Sequence, residues 1–462
     1  MSNQATPVGV PEELVFNLPM SMLDSRKIEQ RIQPYSQSEY TSPGQVAKFT
    51  IPQTDRTLAS GQTMYLTGQC DISGALGVEG DELYSVLGSY YSLFSRQVWN
   101  ANGTVLETIE RPGELVNMLI NMTMNSAEKL SQINGFGASL GQRVDGDFIV
   151  DGTTNLAGPR INDKTSTTNI NVVVGDSNNK SFTFAIPIIG IMDAAKYIPM
   201  WNSNIELELT ISDINNWLVN IKGANSSDVA KFKLSNLELV FDSIELSPES
   251  FNMVMSNNPQ KVVIKTQSYL AGNSTSFSGG GAQDIPINAR LASLKQLFFY
   301  FNQKGVADKT FGGVNPNGQD VVFITNGKYY PIRPLKLNNP SEVYMQIQKA
   351  FGSIKSYSHS GSIGKNELCV RETSNSLYSL PITDKTKLIY YGNKFYLAID
   401  TEIINTNKNS LYNGVPTGVN SNIRLNIASA IASATPMTCY YWCCYDVLLE
   451  MDFITGITRS IY

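Results

Sequence analysis

A chain of 462 residues has room for two or three domains of ordinary size. Only 16% of its residues are charged, 35 Lys and Arg against 40 Asp and Glu, which excludes a protein that grips nucleic acid over a broad basic face. Hydrophobic residues at 42% exclude wholesale disorder, and a single histidine, His359, excludes any metal site with two His ligands and any HExxH motif.

The opening, MSNQATPVGVPEEL, has neither a basic n-region nor an apolar h-region, so no secretory signal is expected. Residues 1–40 are polar, carry Pro7, Pro11, Pro19 and Pro34, and read as an N-terminal arm. Strands are predicted at 46–51 and 64–72. A helix then starts at Pro112, with Glu114 in its first turn and Leu115, Met118, Leu119 and Met122 along one face. Proline suits the first helical position, where an N–H has no partner, and a carboxylate there meets the unpaired amides and the positive end of the helix dipole.

A polar stretch rich in Gly, Asn, Ser and Thr, 145–180, leads to a strand at 181–186. In 204–211 the apolar Ile205, Leu207, Leu209 and Ile211 alternate with Glu206, Glu208 and Thr210, the period of a strand with one face on a core. A strand at 232–246 closes the first half, and Ser247-Pro248-Glu249-Ser250 reads as the joint to the second. There a strand is predicted at 294–301 and a long polar loop at 302–328. A second Pro-led helix starts at Pro340, with Glu342 in its first turn and Val343, Tyr344, Ile347 and Phe351 following. After another polar stretch, 352–393, alternating segments at 395–399 and 423–427 precede the last strand, 438–452. That strand puts Cys439, Tyr441, Cys443, Tyr445, Val447, Leu449 and Met451 on one face and Thr438, Asp446, Glu450 and Asp452 on the other. Its string Tyr440-Tyr441-Trp442 has aromatics on both faces, so the outer face is expected to meet a further layer or subunit.

Many strands, long loops and few helices define an all-β chain built from β-sandwiches. The two helix starts lie 228 residues apart, close to half of 462, and the closing strands 206 apart. Unequal loop insertions produce such drift, so the chain is expected to hold an arm at 1–40 and two units of one plan at 41–248 and 249–462.

Chemistry-bearing motifs are thin. His359 sits in the polar loop Ser356-Tyr357-Ser358-His359-Ser360-Gly361, the composition of a solvated loop rather than of a Ser-His-Asp triad. Gly137-Ala138-Ser139-Leu140-Gly141 matches GxSxG but lacks the strand before and the helix after that a nucleophile elbow needs. The run from Gly135 to Gly141 is one residue too long for the dinucleotide fingerprint. Asp145 and Asp147, with Asp151 nearby, lack the ligand alternation of a dedicated calcium loop. Glu206 and Glu208 share a strand face in the manner of solvent-facing acids, although paired carboxylates also serve glycosidases. No catalytic, cofactor-binding or metal residue is therefore assigned. The five cysteines, Cys70, Cys369, Cys439, Cys443 and Cys444, are odd in number and irregularly spaced, which points away from a disulfide framework and toward a reducing intracellular setting. Cys443 and Cys444 are strand neighbours that face opposite ways, so they cannot grip one metal together. No apolar run approaches the ~20 residues of a membrane helix.

Three features carry a resemblance to a known family. Phe182-Thr183-Phe184-Ala185-Ile186-Pro187-Ile188-Ile189-Gly190 leads through Tyr197-Ile198-Pro199-Met200-Trp201 to the strand Ile205–Ile211, like the approach to the last strands of a capsid jelly roll. The end, 423–427 followed by 438–452, resembles the closing strand pair of a second jelly roll, and the duplication supplies one helix per half. The chain thus resembles a major capsid protein of the double jelly-roll lineage, which joins adenoviruses, large DNA viruses, virophages and tailless membrane-containing phages. The resemblance spans roughly residues 40 to 462 and implies a homotrimer whose six jelly rolls form a pseudo-hexameric capsomer, many of which tile an icosahedral virion shell. It also implies an arm along the inner surface and loops at 145–180, 302–328 and 352–393 that form a tower or fill clefts between subunits. Implied partners are neighbouring capsomers, penton and minor capsid or cement proteins, and in some members an internal membrane, with assembly in the host cytoplasm or nucleus. It brings no catalytic residue, no cofactor and no specific nucleic-acid binding. Independently, low charge and abundant Asn, Ser, Thr and Tyr suit a surface buried against copies of itself. Two other classes stay open: a carbohydrate-binding or carbohydrate-active β-sandwich, stacking sugar on its four tryptophans, Trp99, Trp201, Trp217 and Trp442, and a minor capsid, penton or spike component.

Overall fold

The computed structural model describes residues 25–462 except 74–82, 86–89, 124–149, 152–154, 157–171, 175–179, 195, 214–217, 221–230, 259, 279, 304–314, 317, 338, 353–394, 404–411, 419–422 and 430–435. The first unit contains strands β1 (Ser25–Ile32), β2 (Val46–Ile51), β3 (Thr57–Ala59), β4 (Tyr65–Ser73), β5 (Phe94–Ala101) and β6 (Thr104–Glu110), then helix α1 (Pro112–Thr123), then β7 (Lys180–Pro187), β8 (Ile205–Ile211) and β9 (Lys231–Leu246). They form two antiparallel sheets, β1-β9-β4-β7, with β3 also on β9, and β2-β8-β5-β6. Helix α2 (Pro248–Asn257) leads to the second unit: β10 (Lys261–Asn273), β11 (Gln283–Pro286), β12 (Leu294–Gln303), β13 (Gln319–Thr325), β14 (Lys328–Leu335), α3 (Pro340–Ala350), β15 (Tyr396–Asp400), β16 (Arg424–Ser429), β17 (Met437–Asp452) and β18 (Ile457–Ile461). Its sheets run β10-β17-β12-β15, with β18 also on β17, and β11-β16-β13-β14. The second unit repeats the first in chain order and pairing for eight strands, with β3 present only in the first and β18 only in the second, and with α1 and α3 each following the edge strand of a hairpin.

The alternation of β8 becomes burial. Ile205, Leu207, Leu209 and Ile211 are buried, while Glu206, Glu208 and Thr210 are half-buried. Leu207 stands opposite Phe49 of β2 on one side and Trp99 of β5 on the other, all three fully buried. A leucine taken wholly out of water contributes about 2 kcal/mol, so the four apolar side chains of β8 hold the middle of the sheet to the core. The helix starts also form as the sequence dictates. Asn339 caps α3, its Oδ1 accepting from the Glu342 amide at 3.4 Å, and Pro340 takes the first helical position. In α1, Gly113 is required by close approach: a Cβ there would lie 2.6 Å from the Ser92 Cα.

Four features differ from the sequence-based expectation. Residues 25–32, expected in the arm, form β1 along β9, with Ser25 opposite Leu246 and Ile32 opposite Leu239. Only Ile28, Gln30 and Ile32 are half-buried, and with a polar glutamine between the two isoleucines the apolar alternation is too slight to announce the strand. The stretch expected as a loop at 302–328 contains β13, whose Val321 and Phe323 are fully buried between β14 and β16. The joint 247–250 opens a helix, with Ser247 accepting from the Ser250 amide at 3.2 Å. Finally, β17 is buried on both faces rather than one. Its even-numbered side is covered as well: Phe298, opposite Trp442 on β12, stacks on Phe351 at the end of α3, and Tyr440 receives the Arg111 guanidinium at the start of α1. The hairpin β5–β6, the short β11 and the edge strand β14 were not anticipated either.

Candidate assembly site: the junction of the two units and the open edges

The two units meet where β6 lies against β10 and β18. Trp442 of β17 donates its Nε1–H to the Glu110 carbonyl at the end of β6, at 3.2 Å. Next to it Arg111, in the left-handed region at φ 57, holds its guanidinium 3.5 Å from the centre of the Tyr440 ring and pairs with Glu114. Such a cation over an aromatic face, partly removed from water, stabilises by about 1–2 kcal/mol. At the start of β18, Asn202 donates to Thr458 Oγ1 at 2.9 Å, and the Ser203 and Thr458 hydroxyls are 2.8 Å apart. Half-buried Trp201 meets Phe251 of α2 edge-on at 5.0 Å and Phe453 at 5.8 Å. One tryptophan thereby ties together the first unit, the connecting helix and the last hairpin.

A buried carboxyl sits at this junction. Glu107 of β6 accepts from the Ile191 amide at 2.9 Å through Oε1, while Oε2 has no hydrogen-bond partner. The loop that carries Ile191 reaches it only because residue 190 is glycine: Gly190 has φ +97, and a Cβ there would fall 2.2 Å from Glu107 Oε2. Burial pushes the Glu107 carboxyl up to about 8; Ser268 of β10, the Ile191 amide and Gln97 of β5 oppose the rise without cancelling it. At that value the carboxyl is largely neutral at pH 7, which is how the fold tolerates it in a buried position. Beside it opens a cleft of about 700 Å³, lined by Val105 and Leu106 of the first unit and by Leu270, Ile287, Leu291 and Tyr445 of the second.

A second buried network lies within the second unit. Asp446 of β17 accepts from the Ser293 hydroxyl at 2.6 Å and from the Asn413 amide at 2.9 Å, and faces Lys265 at 3.5 Å and Lys295 at 4.0 Å. Ser293 Oγ also accepts from the Gly414 amide at 2.8 Å. These bonds pin the segment 412–418 to the central strand and read as structural, because every group is satisfied inside one unit.

The residues singled out in the sequence do not converge. Glu208 pairs with Lys48 at 2.7 Å, and Glu206 takes the Thr50 hydroxyl at 3.5 Å, so this acid pair is engaged across its own sheet. Cys70, Cys439, Cys443 and Cys444 are buried free thiols in separate packing positions. Burial raises all four, Cys444 to about 12, where the Lys295 charge acts the other way. Trp99 and Trp442 are buried and Trp201 is half-buried in aromatic contacts of its own, so the described tryptophans present no open face for sugar. His359, Ser139, Asp145, Asp147, Cys369 and Trp217 lie outside the described residues. Glu107 and Arg111 are not singled out by any motif in the sequence, and Gly190 stands there only as the end of an apolar loop. An acid between apolar Leu106 and Ile109 in the strand segment Thr-Val-Leu-Glu-Thr-Ile-Glu is the signal available.

No protein-family model matches the chain, and no curated protein matches it in sequence. Solved structures do resemble it, over nearly its whole length. A chain of the Sputnik virophage structure matches 100% of this chain and 94% of its own, with TM-score 0.58 and 12% identity. The VP54 protein of PBCV-1, fitted into a reconstruction of Sputnik, matches 96% and 98%, with TM-score 0.57 and 11% identity. The mavirus major capsid protein matches 100% and 96%, with TM-score 0.51 and 10% identity. The fold is therefore the double jelly roll of major capsid proteins, in agreement with the resemblance read from the sequence.

Proposed function

We propose that this chain is a major capsid protein, which self-assembles as homotrimeric, pseudo-hexameric capsomers to build an icosahedral virion shell. The observation that carries the reading is the full-length likeness to capsid proteins, which spans both jelly rolls and the junction between them. A binding module would be expected to share one sandwich. The described side chains add to it: the paired acids are engaged in the sheet, the four described thiols are buried, and the conspicuous buried charges hold segments in place, which fits a protein that acts by packing. On this reading the chain works as two units, 41–248 and 249–462, with the division at α2 and β1 added to the first. Its partners are copies of itself, neighbouring capsomers, and penton and cement proteins, and its place is the virion. It is not an enzyme and takes no cofactor. The test is solution mass by light scattering, with negative-stain images of the same sample. A particle near 152 kDa, three times the 50.8 kDa chain, with a hexagonal outline is expected. A monomer at micromolar concentration would overturn the reading.

A further inference from the structure

The buried network at Asp446 holds more than ion pairs. Separate segments of the second unit converge on this one carboxyl of β17: Lys265 of β10, Ser293 just before β12, Lys295 within it, and the Asn413 amide, with Glu402, just after β15, standing at Lys295. Backbone bonds place them. The Asp446 amide donates to the Ser293 carbonyl at 3.1 Å, and the Thr401 amide to the Lys295 carbonyl at 2.9 Å. Leu294 and Val415 exchange two backbone bonds, at 2.9 and 2.8 Å. A Cβ at position 414 would lie 2.2 Å from the Leu294 oxygen, so only glycine lets the Asn413 segment come this near. Water is largely shut out: the Asp446 side chain is 1% exposed, Glu402 15% and Lys295 16%.

The two oxygens of Asp446 have different surroundings. Oδ2 accepts from the Ser293 hydroxyl at 2.6 Å and from the Asn413 amide at 2.9 Å. Oδ1 faces Lys265 Nζ at 3.5 Å and Lys295 Nζ at 4.0 Å. Lys295 Nζ in turn lies 3.2 Å from Glu402 Oε1. One oxygen on two donors, and a nitrogen nucleophile with its own carboxylate base at the other, is the layout of an acyl group held for attack. We infer that Lys295 and Asp446 condense, once the chain has folded, into a side-chain amide that ties β12 to β17. The inference stands apart from the assembly reading and adds a covalent bond to a network that already pins the second unit together.

Every atom has a place in the step. Lys295 Nζ gives up two of its three protons through Glu402, and the freed lone pair bonds to Asp446 Cγ. Negative charge collects on Oδ2, where the Ser293 hydroxyl and the Asn413 amide hold it. The Cγ–Oδ1 bond breaks, and Oδ1 leaves as water with the two protons, relayed by the Lys265 ammonium beside it. Glu402 and Lys265 end as they began, and nothing is oxidised or reduced. Lys295 is the nucleophile rather than Lys265 because Glu402 stands at it and because Lys265 is the more exposed, at 29%. Burial works against the Lys295 charge, but Cys444, Glu402 and Asp446 outweigh it and keep the ammonium. An ammonium does not attack, so the bond forms slowly and a freshly folded chain carries the ion pairs.

The test uses the full chain. Purified protein is kept folded in neutral buffer for several days while its intact mass is followed, then digested and searched for a branched peptide. Expected are a species one water lighter than the sequence and a fragment that joins Lys295 to Asp446. The branched fragment is decisive, since Asp145-Gly146 and Asp151-Gly152 can also lose water within the chain. Lys295→Arg keeps a cation beside Glu402 but no attacking amine, and is expected to show no branch. Glu402→Gln should slow the branch about 100-fold, the ordinary contribution of a positioned base. Melting curves verify that each variant is folded, and a variant that fails to fold leaves the wild-type fragment to decide. A folded wild type that keeps its full mass, or that loses water anywhere but between Lys295 and Asp446, would overturn the inference and leave the assembly reading untouched.

Discussion

Replacing Glu107 by Gln tests the physics of the junction. The Glu107 carboxyl has an ordinary value of 4.5 and is held at about 8 by burial. Below pH 4.5 the folded and unfolded chains both keep the proton, and the group costs nothing. Between 4.5 and 8 the unfolded chain releases its proton while the folded chain does not, so stability falls as pH rises, by about 1.4 kcal/mol per pH unit. Above 8 both forms are ionised and the loss is complete, at about 5 kcal/mol. The charged and titratable groups around it do not soften this. Asp193 is raised by its own burial, and Tyr91, Tyr269 and Tyr445, from three elements around the carboxyl, are themselves held in the neutral form by burial. Glutamine has the same shape, keeps an acceptor for the Ile191 amide, and does not ionise. An amide N–H without an acceptor in place of Oε2 costs about 1–3 kcal/mol, but equally at every pH. Melting curves of wild type and Glu107→Gln from pH 5 to 9 at constant ionic strength isolate the group by difference. The variant is expected to gain on wild type steadily as pH rises, by about 3 kcal/mol between pH 5 and 7.5, and to stop gaining above about 8. Curves that run parallel over the whole range would refute the argument.

Further outcomes follow from the same packing. Gly190→Ala places a methyl inside contact distance of Glu107 at a positive φ, and is expected to destabilise by about 2–4 kcal/mol in thermal melts. Asp446→Asn weakens the charge-assisted bonds from Ser293 and the Asn413 amide while Lys295 keeps Glu402 at 3.2 Å, so a loss of about 2 kcal/mol is expected, with faster amide exchange in 412–418. Four buried thiols held in the neutral form should be silent to Ellman's reagent at pH 7.5 in native protein and react after unfolding, so a native count of two or more would contradict the core assigned to Cys70, Cys439, Cys443 and Cys444.

What the amino-acid sequence determined by itself was set by period and punctuation. Alternation at 205–211 and 438–452 named the core strands because apolar side chains two apart must share a face, and Pro-x-Glu named the helix starts because proline and a carboxylate both suit an unpaired helix N-terminus. The spacing of those helices exposed the duplication. Tertiary structure decided the rest. β1 and β14 carry too slight an apolar pattern to be named, since β1 interrupts its half-buried face with Gln30 and β14 buries fully only Leu335 at its end. β17 is buried on both faces, with Tyr440 under the Arg111 guanidinium and Trp442 at the Glu110 carbonyl of the first unit, which no period within the strand can announce. Glu107 became a buried neutral acid only when β6, β10 and the loop at Gly190 closed around it. Burial of a single group depends on residues far away in the chain, so a local sequence records which faces are apolar but not what comes to cover them.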